Sequence, residues 1–340
     1  MTVRELLEER ERQTLAPYAA RACASRGRLR PEHEHEYRTA FQRDRDRIVH
    51  SKAFRRLKRK TQVFLAPEDD HYRTRLTHTL EVAQIARTVA RALGLNEDLT
   101  EAAALGHDLG HTPFGHAGEA VLDEVFEPGF RHYEQSLRVV DELESARGER
   151  GLNLTCEVRD AILHHSMGKR LLYGERVESA STLEGEVLSL CDAIAYVSHD
   201  IDDALRANVI CADELPQETV KTLGKTTAER LNSMVVGLIQ GSQEGRIGIM
   251  PEVREATCVL RDFLYTRVYT CEVIDAEIGK AKGLLREMYG RLLETPTAES
   301  AAGAPEDSLE RRTVDFIAGM TDQYALRLYK RLFFPAPWRI

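Results

Sequence analysis

His-Asp-Leu-Gly-His-Thr-Pro-Phe-Gly-His-Ala-Gly-Glu, residues 107–119, packs three histidines and two carboxylates into one short segment. A stretch that only filled a core would carry Leu and Ala at these positions. Polar groups this dense cost free energy to bury unless they bind something. His107 and Asp108 are adjacent and suit two ligands of one metal ion. His111 and His116 follow, with Glu119 three residues beyond His116. The segment reads as half of a metal-dependent hydrolytic site at the end of a helix. Asn96 caps that helix, which runs through Ala102, Ala103, Ala104 and Leu105 into His107. Gly110, Pro113 and Gly115 then break the regular backbone.

Outward from there the periodicity is helical. Leu76, Leu80, Ala83, Val89 and Leu93 mark one apolar face, and Gly94 suits the C-terminal cap. Helices are predicted over 132–146, 155–166 and 182–206, with a loop at 168–181 that has room for a short hairpin. Glu214–Gly241 and Pro251–Tyr289 continue helical. Residues 295–308, rich in Thr, Ala, Ser, Glu and Pro, read as an exposed linker, and 309–332 as a last helix. β-branched alternation is scarce and no internal repeat is present. The expected fold is predominantly all-α: a helical N-terminal arm over 1–45, interrupted at Pro17 and Gly27, a catalytic domain over 46–210, and a C-terminal helical region over 211–340.

Composition narrows the classes. The 340 residues are 42 % hydrophobic and 30 % charged, a soluble globular balance. No apolar run approaches the ~20 residues of a membrane span. Met1–Arg12 is charged and lacks the apolar core of a signal peptide. The six cysteines (23, 156, 191, 211, 258 and 271) form no C-x-x-C pair, which disfavours a cysteine zinc site or a disulfide framework and fits a reducing cytoplasm. Net charge is −8, yet Arg43–Lys60 holds nine Lys/Arg against two Asp. Such a patch attracts phosphate, whether nucleotide or nucleic acid, or else forms a solvated helix face.

Two further residues extend the metal set. His78, in Arg-Leu-Thr-His, would alone read as a satisfied core histidine. Asp192 lies in the apolar helix Leu-Ser-Leu-Cys-Asp-Ala-Ile-Ala-Tyr, where an unpaired carboxylate would be expensive. With His107 and Asp108 they make two imidazoles and two carboxylates. That set suits a divalent ion, Mn or Mg foremost and Fe, Co or Ni besides, with positions open to water and substrate.

His78…His107-Asp108…Asp192 resembles the HD superfamily of metal-dependent phosphohydrolases. More specific blocks surround it. Asp-Arg-Asp-Arg-Ile-Val-His-Ser-Lys-Ala-Phe-Arg-Arg-Leu (44–57), Lys-Thr-Gln-Val-Phe (60–64) and Arg-Thr-Arg-Leu-Thr-His-Thr-Leu-Glu-Val (73–82) resemble the bacterial dGTPase-like deoxynucleoside triphosphate triphosphohydrolases. So do Ala-Tyr-Val-Ser-His-Asp-Ile-Asp-Asp (195–203) and Ile-Ala-Gly-Met-Thr-Asp (317–322). The resemblance implies an HD helical fold and cleavage of a dNTP between the 5′-oxygen and the α-phosphorus, releasing deoxynucleoside and triphosphate. It implies His78, His107, Asp108 and Asp192 as metal ligands. It makes His116 the proton donor to the leaving group, oriented by Glu119, and His111 an α-phosphate contact. Arg75 would reach phosphate oxygens, and His132 is a further active-site histidine. Where the family commonly has Asn after that histidine, this chain has Tyr133.

For the sugar, the resemblance implies Gln62 and Asp200 on the 3′-hydroxyl, Val63 against a 2′-hydroxyl, and Tyr196 as a substrate contact. It also implies a homo-oligomer, from dimer to hexamer, and an activating nucleotide at a separate site. Two other readings stand beside it: an HD phosphohydrolase acting on a monophosphate or an alarmone, and a nucleotide sensor or single-stranded nucleic-acid binder built on the basic segment.

Overall fold

The computed structural model describes residues 1–62, 73–146, 148–175 and 179–335. Among them are α1 (Val3–Thr14), α2 (Ala40–Val49), α3 (Lys52–Arg56), α4 (Arg75–Ala92), α5 (Glu97–Gly106) and α6 (His116–Val125). Next come α7 (His132–Arg138), α8 (Cys156–His164), α9 (Gly168–Leu172) and α10 (Leu183–Arg206). The C-terminal third holds α11 (Gln217–Leu223), α12 (Thr227–Gly241), α13 (Pro251–Arg267), α14 (Glu272–Glu294), α15 (Ala298–Ala301), α16 (Leu309–Ala318) and α17 (Asp322–Phe333). The only described sheet is a two-stranded hairpin, Ser145–Ala146 against Glu149–Arg150. The fold is predominantly α, as the patterning predicts. No described helix is long and apolar enough to cross a membrane.

Local chemistry sets the helix starts. The Asn96 side chain accepts the Leu99 N–H at the start of α5, and Thr74 accepts the Thr77 N–H at the start of α4. Each cap contributes about 1 kcal/mol. α5 buries Ala102, Ala103 and Ala104 completely, small residues that allow α2 and α4 to approach it closely. α4 turns Val82, Ile85, Ala86 and Val89 into the same core.

Two apolar clusters result. The larger runs from Ala19 to Val268 and crosses the boundary expected near 210. The smaller joins Phe114, Ala117, Val121, Leu122, Phe126 and Phe130 to residues of α14, α16 and α17, among them Leu285, Met288, Val314, Ile317 and Leu328. The quoted segment lies where they meet: Leu109 belongs to the first and Phe114 to the second.

Several expectations need correcting. Within the arm only α1 and the start of α2, from Ala40, are α-helical. Residues 15–39 run irregularly apart from a 3₁₀ turn at Ala22–Ala24, tied down by Glu184, which accepts the Ala20 N–H at 3.0 Å, and by Glu157, which accepts from Ser25 at 2.7 Å. The helix predicted over 132–146 stops being α at Arg138 and passes into a π-helical turn, Val139–Leu143. Gly168–Leu172, assigned to a loop, is helical. Gly224, at φ 104°, separates α11 from α12. The linker at 295–308 is folded: Ser300 is fully buried and Asp307 pairs with Arg138 at 2.6 Å. The last helix is two, parted at Gly319–Thr321.

Candidate active site

The first of two histidine clusters sits where α4, the end of α5 and α10 converge. His107 follows α5 directly, and its Nδ1 bonds the Ala104 carbonyl at 2.7 Å. That bond places the proton on Nδ1 and leaves a lone pair on Nε2. His107 Nε2 is buried without a hydrogen-bond partner, 3.6 Å from Asp108 Oδ1 and 3.7 Å from Asp192 Oδ1. His78 Nε2 lies 3.0 Å from the same Asp192 oxygen. Behind it, His78 Nδ1 faces His199 Nδ1 at 3.4 Å, and His199 Nε2 faces Glu81 at 3.1 Å.

Charge follows position. Burial opposes ionisation of Asp108, but Arg75, donating to Oδ2 at 2.6 Å, and the neighbouring histidines outweigh it and hold its pKa well below the carboxylate norm. Burial likewise opposes Asp192, yet the bond to His78 and the proximity of the neighbouring imidazoles bring it to about 2. His199, desolvated and beside His78, falls to about 2 and is neutral.

The second cluster stands on the loop after His107 and on α6 and α7. His111 is buried, and burial, Arg75 and His132 hold it neutral. Its ring stacks on His132, centroids 4.6 Å apart, and lies 5.1 Å from that of His116. Glu119 joins the group, accepting from His116 Nδ1 at 3.2 Å, from His132 Nδ1 at 2.8 Å and from the His132 N–H at 2.9 Å. Although burial works against it, these bonds keep Glu119 far below the carboxylate range. For His132 burial favours the neutral ring, but the bond and charge of Glu119 prevail and raise its pKa. His165, committed through Nδ1 to the Ile162 carbonyl, offers its Nε2 lone pair to His132 Nε2 at 3.2 Å. His132 satisfies both partners when doubly protonated. His116 opens α6 and is the exposed member of the group.

The backbone between the clusters is unusual. Phe114 and Gly115 have φ of 61° and 59°. A Cβ on Gly115 would lie 3.2 Å from the Gln62 carbonyl oxygen and 3.3 Å from an Arg75 nitrogen. Only glycine lets the loop, Gln62 and Arg75 come this close.

Other expected site residues lie around this centre. Arg75 is 2 % exposed and its Nε has no partner. Gln62 Oε1 and Asp200 Oδ1 are likewise buried and unpartnered. Burial raises Asp200 to about 7. Its other oxygen accepts from the Tyr269 hydroxyl. Tyr196 lies between His116 and Tyr269, ring centroids 6.3 and 6.2 Å away. Val63 falls outside the described residues.

Sequence reasoning missed Tyr269 and Glu81. Glu81, three residues after His78, could have been found from helix spacing. Nothing near Tyr269 in the chain signals it.

The basic segment divides: its α2 arginines are paired within the fold, while Lys52, Arg55, Arg56, Lys58 and Arg59 are exposed. Arg43 and Arg47 share Glu32, each at 2.5 Å, and Arg45 pairs with Asp98 and Glu101 at 3.4 and 3.1 Å.

Comparison with known proteins adds the family. Residues 75–197 match the HD domain and 247–331 the phosphohydrolase-associated domain. A deoxyguanosinetriphosphate triphosphohydrolase-like protein of Caldanaerobacter subterraneus subsp. tengcongensis is 52 % identical, over 99 % of this chain and 98 % of that one. One of Desulfatibacillum aliphaticivorans is 50 % identical, over 99 % of each. The chain belongs to the deoxyguanosinetriphosphate triphosphohydrolase-like family.

As a family member it carries an HD domain, and HD domains bind divalent metals. The residues fit one. His78, His107 and Asp192 offer donor atoms all within 4.8 Å of one another, and so do His107, Asp108 and His165, with His107 common to both groups. Donors around a six-coordinate ion with ~2.1 Å bonds are roughly 3 Å apart. The observed 3.0–3.7 Å separations are close to that. The unpartnered His107 Nε2 points the same way. The HD span holds all four expected ligands, while the phosphohydrolase-associated span contributes Tyr269.

Proposed function

We propose that the protein hydrolyses deoxynucleoside triphosphates to deoxynucleoside and inorganic triphosphate. The observation that carries this reading is the adjacency of the two clusters through Asp108. That carboxylate lies within 4.8 Å of His107 and His165 on one side and of His111 and His132 on the other. A candidate metal centre therefore abuts a histidine group backed by a carboxylate. Phosphoester cleavage with a departing alkoxide needs that pair of functions.

His78, His107, Asp108 and Asp192 would hold the ion, Mn or Mg foremost. Bound there, it would lower the pKa of water and offset charge on the α-phosphate. Arg75 braces Asp108 with one nitrogen and keeps Nε free for a phosphate oxygen. Neutral His111 donates to the phosphate without adding a positive charge. Water oxygen would add to the α-phosphorus and release a proton to solvent, the bond to O5′ would break, and O5′ would take a proton from His116, which Glu119 orients. His132, tied to the same Glu119, keeps a positive charge beside the phosphates. Gln62 Oε1 and Asp200 Oδ1 would accept the 3′-hydroxyl, Tyr196 would contact the sugar, and Val63 would exclude a 2′-hydroxyl.

The reading includes a cytoplasmic homo-oligomer activated by a nucleotide. Its test is a turnover screen of the four dNTPs, singly and mixed, with Mn and with Mg, with products resolved and assembly state measured alongside. Triphosphate with deoxynucleoside is the expected result. Orthophosphate or pyrophosphate would move the protein to another HD phosphohydrolase activity. No turnover in any mixture would leave a sensor.

A further inference from the structure

The loop that carries His111 and His116 is fastened to a part of the chain about two hundred residues away. Asp322 opens α17 and is 4 % exposed. One of its oxygens accepts the Phe114 N–H at 3.0 Å. The other accepts the Thr61 N–H at 2.8 Å and also the Thr61 hydroxyl. Three donors therefore converge on one carboxylate, an acceptor-only group. Lys60 closes the same knot. Its buried amine donates to the carbonyls of His111 and, at 2.8 Å, of Ala318 at the end of α16. The Lys60 carbonyl in turn takes the Arg75 N–H at 3.1 Å.

The anchored residues are telling. Phe114 holds a positive φ that a non-glycine residue adopts only under restraint. It lies two residues before His116. Thr61 directly precedes Gln62. A single side chain thus fixes the backbone ahead of the expected proton donor and ahead of the expected sugar contact.

We propose that Asp322 is a positioning residue for hydrolysis, registering the His111–His116 loop and Gln62 against each other through Phe114 and Thr61. This rests on the hydrolase reading above, and it gives the phosphohydrolase-associated region a role in the catalytic geometry. The Asp322–Lys60 knot links the α16–α17 junction to the loop.

The test compares wild type, Asp322→Asn and Thr61→Val as full-length, metal-loaded protein. Asn keeps the shape but turns an N–H₂ toward the donors. Hydrogen exchange followed by mass spectrometry should quicken in Asp322→Asn over 111–117 while α5 and α10 stay protected. Its kcat per metal-loaded site should fall roughly 10- to 100-fold, since small misplacements of reacting groups have effects of that order. KM should change less than kcat. Thr61→Val, which removes the hydroxyl bond to Asp322 and keeps the backbone one, should lose a few-fold, and it carries the test if Asp322→Asn does not fold. Unchanged exchange over 111–117, or wild-type kcat per loaded site, overturns the proposal. A wild-type protein that releases no triphosphate removes the hydrolase reading instead, and the exchange measurement then judges the knot alone.

Discussion

The two histidine clusters use the same residue types and are built in opposite ways. Around His78 and His107 every ring is fixed from behind by a carbonyl or another imidazole, and the free atoms turn inward toward two carboxylates. Around Glu119 the carboxylate sits behind, and the rings of His116 and His132 turn away from it. The first arrangement turns ring nitrogens and carboxylate oxygens toward one point, as a cation requires. The second collects protons, as a leaving group requires. The difference comes from what stands behind each ring.

The largest effect is expected on the proton side. His116→Ala should abolish hydrolysis, a loss on the order of 10²–10⁴-fold, while nucleotide binding, read by calorimetry, persists. Near-wild-type turnover would erase the distinction between the clusters. On the ligand side, Asp108→Ala should strip metal, measured by elemental analysis, and cost activity with it. It also frees the Arg75 guanidinium beside the remaining ligands. Unchanged metal content would take Asp108 off the ligand set. A finer probe is His199→Ala, which removes the group behind His78. Metal affinity should weaken by about 10- to 100-fold, with the pH dependence of turnover at saturating metal unaltered. A change in that dependence would mean the clusters share protons.

The smallest effect concerns Lys60. Burial lowers its pKa from the usual 10.5 to about 7 in the folded protein. Between those values the unfolded chain binds the extra proton, so this group's contribution to stability is present above 10.5 and is lost as pH falls to about 7. Lys60→Met should flatten that rise with pH, read as urea midpoints at pH 7.5 and 9.5. An unchanged slope would mean that Lys60 does not titrate in this window.

What the sequence disclosed follows the range of each interaction. The Asn96 cap, the helix into His107 and the 24-residue α10 are local and could be read directly. The HD set was legible as residue types because His78, Asp192 and the sequence blocks around them accompany the His-Asp pair, which alone says little. The inward or outward aim of each ring was not, since it depends on Ala104, Ile162 and Glu119 as placed by the fold. Tyr269 and Asp322 reach the site from distant helices, and no spacing rule covers separations of 69 and 208 residues. The supposed linker at 295–308 shows the same limit from the other side: its polar composition reads as solvent, but Asp307 answers Arg138.

α10 behaves as a ruler. Asp192, Tyr196, His199 and Asp200 are all graduations on one rod, while Gln62, His111 and His116 stand on the facing jaw of a calliper. Inserting one residue between Asp192 and Asp200 would swing every later mark by about 100°. Changes of length among relatives should therefore be absent from that interval and collect in the jaw's outer connections, leaving the measured span the same from chain to chain.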